Sequence, residues 1–129
     1  MGSMDHKLHA IDKYGVPLWE FPTMNEVLTT PAIDVNAKLI YVASLDNNLY
    51  AVDFRYVSCL TTIWTICTQL CRYLDCIIIL IYKIFNSGQE QWRYTTGDQI
   101  YSSPVIGQNG TVYIASTDSY LYALIGPVF

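Results

Sequence analysis

Outside one central stretch, the chain is built of short apolar runs set between turn-forming residues. Ile40, Val42 and Ser44 alternate with Leu39, Tyr41 and Ala43. Short apolar segments of this kind, bounded by turn residues, read as central strands of a sheet. Asn109-Gly110 falls between Val105-Ile106 and Val112-Tyr113 and predicts a hairpin, because both residues tolerate positive φ. Asp46-Asn47-Asn48 and Thr117-Asp118-Ser119 predict further turns one strand later. The expectation is an all-β chain.

The runs recur as aligned boxes. Gly15-Val16-Pro17-Leu18-Trp19-Glu20-Phe21 matches Gly88-Gln89-Glu90-Gln91-Trp92-Arg93-Tyr94, and Thr30-Pro31-Ala32-Ile33 matches Ser103-Pro104-Val105-Ile106. Trp19 to Pro31 and Trp92 to Pro104 are both separations of 12 residues. Leu39 to Asp46, containing Tyr41, matches Thr111 to Asp118, containing Tyr113. A third box recurs as Leu8-His9-Ala10-Ile11-Asp12, Leu49-Tyr50-Ala51-Val52-Asp53 and Leu121-Tyr122-Ala123-Leu124. Leu8 and Leu49 are 41 residues apart, a period that suits a four-stranded propeller blade.

The segment Ala10-Ile11-Asp12-Lys13-Tyr14-Gly15-Val16-Pro17-Leu18-Trp19 resembles the tryptophan-docking motif of PQQ-like (quinoprotein-type) β-propeller repeats. The resemblance covers residues 8–53 and 87–124. It implies that Trp19 and Trp92 pack between blades, that Gly15 and Gly88 permit tight turns, and that Asp12 and Asp53 are turn residues. With Pro31, Tyr41, Ala51, Pro104, Tyr113 and Ala123 they form the structural repeat motif. The third copy departs from it, with Ile125 at the Asp position. The implied architecture is a partial β-propeller of about two four-stranded antiparallel blades: two strands from Leu8 to Phe21, four from Pro31 to Tyr94, three from Pro104 to Leu124. Closed propellers use four to eight blades, so the open ends call for further blades, a protein partner or other copies of the chain. Three or four copies pairing head to tail would close a ring of about six or eight blades.

Leu49 and Leu121 are 72 residues apart, which leaves roughly 32 extra residues between Asp53 and Gly88. The chain therefore divides into 1–3, which reads as a cloning scar ahead of Met4; a blade repeat over 4–53; an insert over 54–86; and a blade repeat over 87–129. Val57 to Phe85 has no Gly or Pro and is rich in Ile, Leu, Thr and Cys. Three readings of it stand side by side. A membrane span is long enough but carries Arg72 and Asp75 near its centre, each costing about 2.5–3.5 kcal/mol there. An excursion packed on the sheets or on a partner would bury Ile77-Ile78-Ile79-Leu80-Ile81. A translated intron fits because codons for Arg55-Tyr56-Val57-Ser58 can contain GTATGT and those for Phe85-Asn86-Ser87 can contain AACAG. Splicing there joins Asp-Phe-Ser-Gly and restores the Asp12-to-Gly15 spacing.

A formal charge of -4 over 129 residues offers no basic surface for nucleic acid. Eleven tyrosines favour half-buried pleated surfaces. Cys59, Cys67, Cys71 and Cys76 fit neither a CxxC pair nor a zinc knuckle and leave the redox compartment open. His6 and His9 stand three apart, but in a strand, where His9 takes the aromatic position of Tyr50 and Tyr122. Asn109-Gly110-Thr111 is a glycosylation sequon that the hairpin turn explains equally well. No Ser-His-Asp arrangement, phosphate loop or HExxH pattern is present.

The expected function is a non-catalytic binding or scaffold module for protein or ligand recognition, with no cofactor; the resemblance implies an extracytoplasmic or secreted setting. The competing class is a fragment of a PQQ-dependent alcohol or sugar dehydrogenase, which would need the quinone, a calcium ion and a catalytic Asp.

Overall fold

The computed structural model of the chain describes residues 1–54 and 88–126. These residues are all-β: nine strands in three antiparallel sheets, with no helix among them and so none long and apolar enough to cross a membrane. β1 (Lys7–Ile11) and β2 (Pro17–Pro22) form the first sheet. The second is a four-stranded meander of β3 (Ala32–Asp34), β4 (Leu39–Ala43), β5 (Asn48–Asp53) and β6 (Glu90–Thr95). In the third, β7 (Val105–Ile106), β8 (Val112–Ala115) and β9 (Leu121–Leu124) run in the same order.

Alternation along a strand sends successive side chains to opposite faces, so a strand apolar at every position needs cover on both. β5 is buried along its whole length, and β4 and β5 divide their side chains between two cores. Leu39, Tyr41, Ala43, Leu49 and Ala51 join Ile100, Val112 and Ile114 of the third-sheet region. Val42, Tyr50 and Val52 face the other way and join Leu8, Phe21 and Val27. The second sheet is therefore the middle of three layers.

The hairpins follow their turn chemistry with one difference from expectation. Of Asn109 and Gly110 only the glycine takes positive φ, at 80°. Gly110 donates to the Gly107 carbonyl at 3.0 Å and Gly107 to that of Thr111 at 2.8 Å. A type I turn closed by a left-handed residue needs one positive φ, whereas a two-residue type I′ turn needs two.

Met1 to Ser3, set aside above as a scar, lie along β1. Gly2 bridges Leu8, Ser3 N–H donates to the Lys7 carbonyl at 3.1 Å, and His9 N–H donates to the Met1 carbonyl at 2.8 Å. Ser3 thus stands to Lys7 as Ser44 stands to Asn48 and Ser116 to Tyr120.

The ends of the described segments around 55–87 meet in a turn already used elsewhere in the chain. Gly15 N–H donates to the Asp12 carbonyl at 3.1 Å and Asp12 N–H to the Val16 carbonyl at 2.9 Å; Gly88 N–H donates to that of Asp53 at 2.7 Å and Asp53 N–H to that of Gln89 at 2.9 Å. The ladders beyond also agree, each shifting register after an Ala–Trp pair: Ala10 with Trp19, and Ala51 with Trp92. Apart from Phe54, the insert read as span, excursion or intron lies outside the described residues. Because Asp53 and Gly88 already hold hairpin geometry, replacing residues 55–87 by a single serine should leave the fold intact. Far-ultraviolet circular dichroism and a cooperative denaturation midpoint no lower than that of the full chain would check this.

Candidate functional site

The repeated residues meet at the two seams between sheets. Trp19, half-buried on β2, pairs with Ala10 and lies against Gly88 at the entrance to β6. A β-carbon added at Gly88 would sit 2.8 Å from the Trp19 ring. Trp92 on β6 pairs with Ala51 and lies against Gly126, where an added β-carbon would come within 3.1 Å of its Nε1. Each indole reaches from the outermost strand of one sheet to a glycine of the next. Trp92 also packs on the buried ring of Tyr41, with centroids 5.7 Å apart.

Two residues beyond each tryptophan, an aromatic ring crosses the same seam. Phe21 meets Tyr50 at 5.3 Å and Tyr94 meets Tyr122 at 5.4 Å between centroids. Tilted and edge-on pairs at such separations add about 0.5–1.5 kcal/mol beyond area burial.

At one end of the sheets a carboxylate stands four residues before each of three equivalent side chains. Tyr50 donates its phenol to Asp46 at 2.7 Å and Tyr122 to Asp118 at 2.6 Å; His9 Nε2 lies 2.7 Å from Asp5. Oδ2 of Asp46 also accepts the Met24 amide at 2.9 Å, and Oδ2 of Asp118 accepts the Gly97 amide at 2.7 Å. These carboxylates therefore tie each β-hairpin to the segment arriving from the preceding sheet. Ser44 and Ser116 repeat the tie, donating to the carbonyls of Glu26 and Gln99 at 3.2 Å each. His6, Asn47 and Ser119, at matching places in the three turns, all adopt positive φ.

Tyr50, Tyr122 and Asp118 titrate away from their ordinary values. Burial first, and then the bond to Asp46, pushes the Tyr50 phenol well above its ordinary range; for Tyr122 the bond to Asp118 is the leading cause of a rise. Burial pushes the Asp118 carboxyl up, but hydrogen bonds from Tyr122, Tyr120 and Gly97 outweigh it and hold the group below the usual carboxylate value.

Asp12 accepts the amides of Tyr14 and Val16 on one carboxylate oxygen, at 2.8 and 2.9 Å, and Asp53 is buried at the matching turn. Pro31 precedes β3 and Pro104, buried, precedes β7. Tyr41 and Ala51 are buried in the core between the second and third sheets. Tyr113 and Ala123 occupy the matching positions of the third sheet but are exposed, because no described residue covers that face. The carboxylates at positions 5, 46 and 118 escaped the sequence reading as a functional set. The signal was the Asp-x-x-x-aromatic spacing, which the alignment treated as two separate boxes. His9, read as a packing residue, also stands 2.7 Å from Asp5, the counterpart of the Tyr50–Asp46 bond.

Among the described residues, no group of three or more His, Cys, Asp or Glu could hold a metal ion. Asp12, Asp34, Asp46 and Asp118 direct carboxylate oxygens at backbone amides of nearby turns, a donor set unlike an open calcium site. No protein-family model and no curated protein matches the chain.

Gly15 and Gly88 have φ of 85° and 80°, where alanine costs about 1–2 kcal/mol. Nothing lies within 4 Å of a β-carbon at Gly15, so Gly88→Ala should destabilise the protein more than Gly15→Ala, the difference reporting the Trp19 contact in urea denaturation. Tyr50→Phe should cost about 1–2 kcal/mol, since Asp46 keeps its amide donors. The raised phenol favours the folded state fully below the ordinary tyrosine pKa, and this contribution fades as pH rises toward the folded value. The stability gap between Tyr50→Phe and the parent should accordingly narrow above about pH 10, measured by denaturation at stepped pH.

Proposed function

We propose that the chain is a non-catalytic binding or scaffold module of the PQQ-like β-propeller type, its three sheets being successive blades and its task protein or ligand recognition. The observation that carries this reading is the repetition of one seam. Trp19 on Gly88 with Phe21 on Tyr50 recurs as Trp92 on Gly126 with Tyr94 on Tyr122. Blades are antiparallel sheets of one topology, each covering the apolar face of its neighbour, and such units need neighbours at both ends. The carboxylates engaged by turn amides support a structural use of the acidic residues.

Open blade faces are surfaces for a protein partner or for further blades, including those of another copy. Fold type alone does not fix what is bound, so the site must. Mixing the full chain with PQQ, calcium and an artificial electron-acceptor dye, in the presence of primary alcohols or aldoses, tests the non-catalytic assignment. The expected result is no dye reduction above the buffer control; enzyme-dependent, saturable reduction would overturn it.

A further inference from the structure

We propose that Asn109 is a modification site, the acceptor of an N-linked oligosaccharide transferred from a polyprenyl-diphosphate-linked sugar donor. Asn109-Gly110-Thr111 is the one place in the chain where Asn is followed two residues later by Ser or Thr. The inference concerns a single hairpin turn and stands apart from the propeller reading of the sheets.

Turn geometry does not call for the two residues that the motif needs. β3 pairs with β4 as β7 pairs with β8, so that Ile40 matches Val112 and, counting back, Lys38 matches Gly110 and Ala37 matches Asn109. Lys38 and Gly110 both take positive φ, at 60° and 80°, whereas Ala37 and Asn109 do not. The left-handed residue that closes each turn is therefore the one after Asn109, and alanine serves in its place in the second sheet. Thr111 likewise stands where the second sheet has Leu39. Hairpin formation explains Gly110 and leaves Asn109 and Thr111 unexplained.

The local structure suits the modification. Asn109 is exposed, and nothing lies within 4 Å of where a β-carbon at Gly110 would stand. Ala37 is exposed too, on a sheet covered on both faces, so access to this turn does not depend on what packs beside the third sheet. Oδ1 of Asn109 accepts the Thr111 amide at 3.1 Å, an Asx turn that brings the asparagine side chain and the threonine together. Nδ2 makes no hydrogen bond among the described residues, so a bulky substituent there breaks no bond of the fold. In the transfer, Nδ2 bonds to the anomeric carbon of the sugar as the bond from that carbon to the diphosphate oxygen breaks. The polyprenyl diphosphate leaves with the electron pair, and one Nδ2 proton passes to a base of the transferring enzyme.

The full chain, behind a cleavable secretion signal, is translated in the presence of microsomes. Molecules protected from added protease are then scored by gel mobility with and without peptide-N-glycosidase. The expected result is a slow band that the glycosidase returns to the fast position. Asn109→Gln and Thr111→Val should each lose the slow band, and Thr111→Ser should keep it. Thr111→Val leaves Asn109 in place and removes only the hydroxyl, so its loss of the band reports the motif rather than the asparagine alone. Absence of a glycosidase-sensitive band from the protected full chain, or its persistence in Asn109→Gln or Thr111→Val, would overturn the proposal.

Discussion

Two adjacent strands, β4 and β5, carry apolar side chains on both parities, and water must be kept from both faces of the sheet they form. Each fully buried Leu, Val or Tyr contributes about 1.5–3 kcal/mol when withdrawn from water, so leaving either face open would forfeit several such contributions. Leu49 and Ala51 on one side, and Tyr50 and Val52 on the other, therefore require a layer above and a layer below. The first and third sheets supply those layers, and the order of stacking follows from that requirement. The seams are the means by which a short chain holds the layers in register: indole on glycine, ring on tyrosine, carboxylate on phenol.

Those three devices act on different parts of the seam. The indole contact fixes the outer strand against the following sheet and leaves no space for a side chain at Gly88 and little at Gly126. Farther along the same outer strand, the ring pair packs Phe21 onto Tyr50 and Tyr94 onto Tyr122. The carboxylate pins the β-hairpin to the incoming segment, with Asp46 accepting from Met24 and Asp118 from Gly97. Since Tyr50 is a member of both the ring pair and the carboxylate pair, packing and hydrogen bonding depend on the same side chain. Among the described residues, the third sheet leaves exposed, at Tyr113 and Leu121, the surface that the second sheet buries at Tyr41 and Leu49.

Much of the fold was legible because strand periodicity and the repeat pointed the same way. The nine expected strands correspond to the nine found among the described residues, and the shared separation of Trp19 from Pro31 and Trp92 from Pro104 marked where one sheet gives way to the next. Less was legible where the signal depends on geometry rather than residue type. Ser3 and Asp5 were hidden because Gly2-Ser3-Met4-Asp5 shares only Ser and Asp with Ala43-Ser44-Leu45-Asp46, and the first residues resembled a cloning remnant. His9 and Tyr50 looked like packing residues because an aromatic ring suggests burial before it suggests a hydrogen bond. The exposure of Tyr113 could not be read from its match to Tyr41, since burial depends on the neighbouring layer and not on the residue itself.

The middle sheet as a layer covered on both faces is the central claim, and native-state hydrogen exchange tests it most directly. The amides of β4 and β5 should exchange slowest, only through global unfolding, while those of β9 exchange faster through local opening. Exchange of β5 amides as fast as those of β9 would contradict the account, because a strand covered on two faces and paired along two edges has no local route to water.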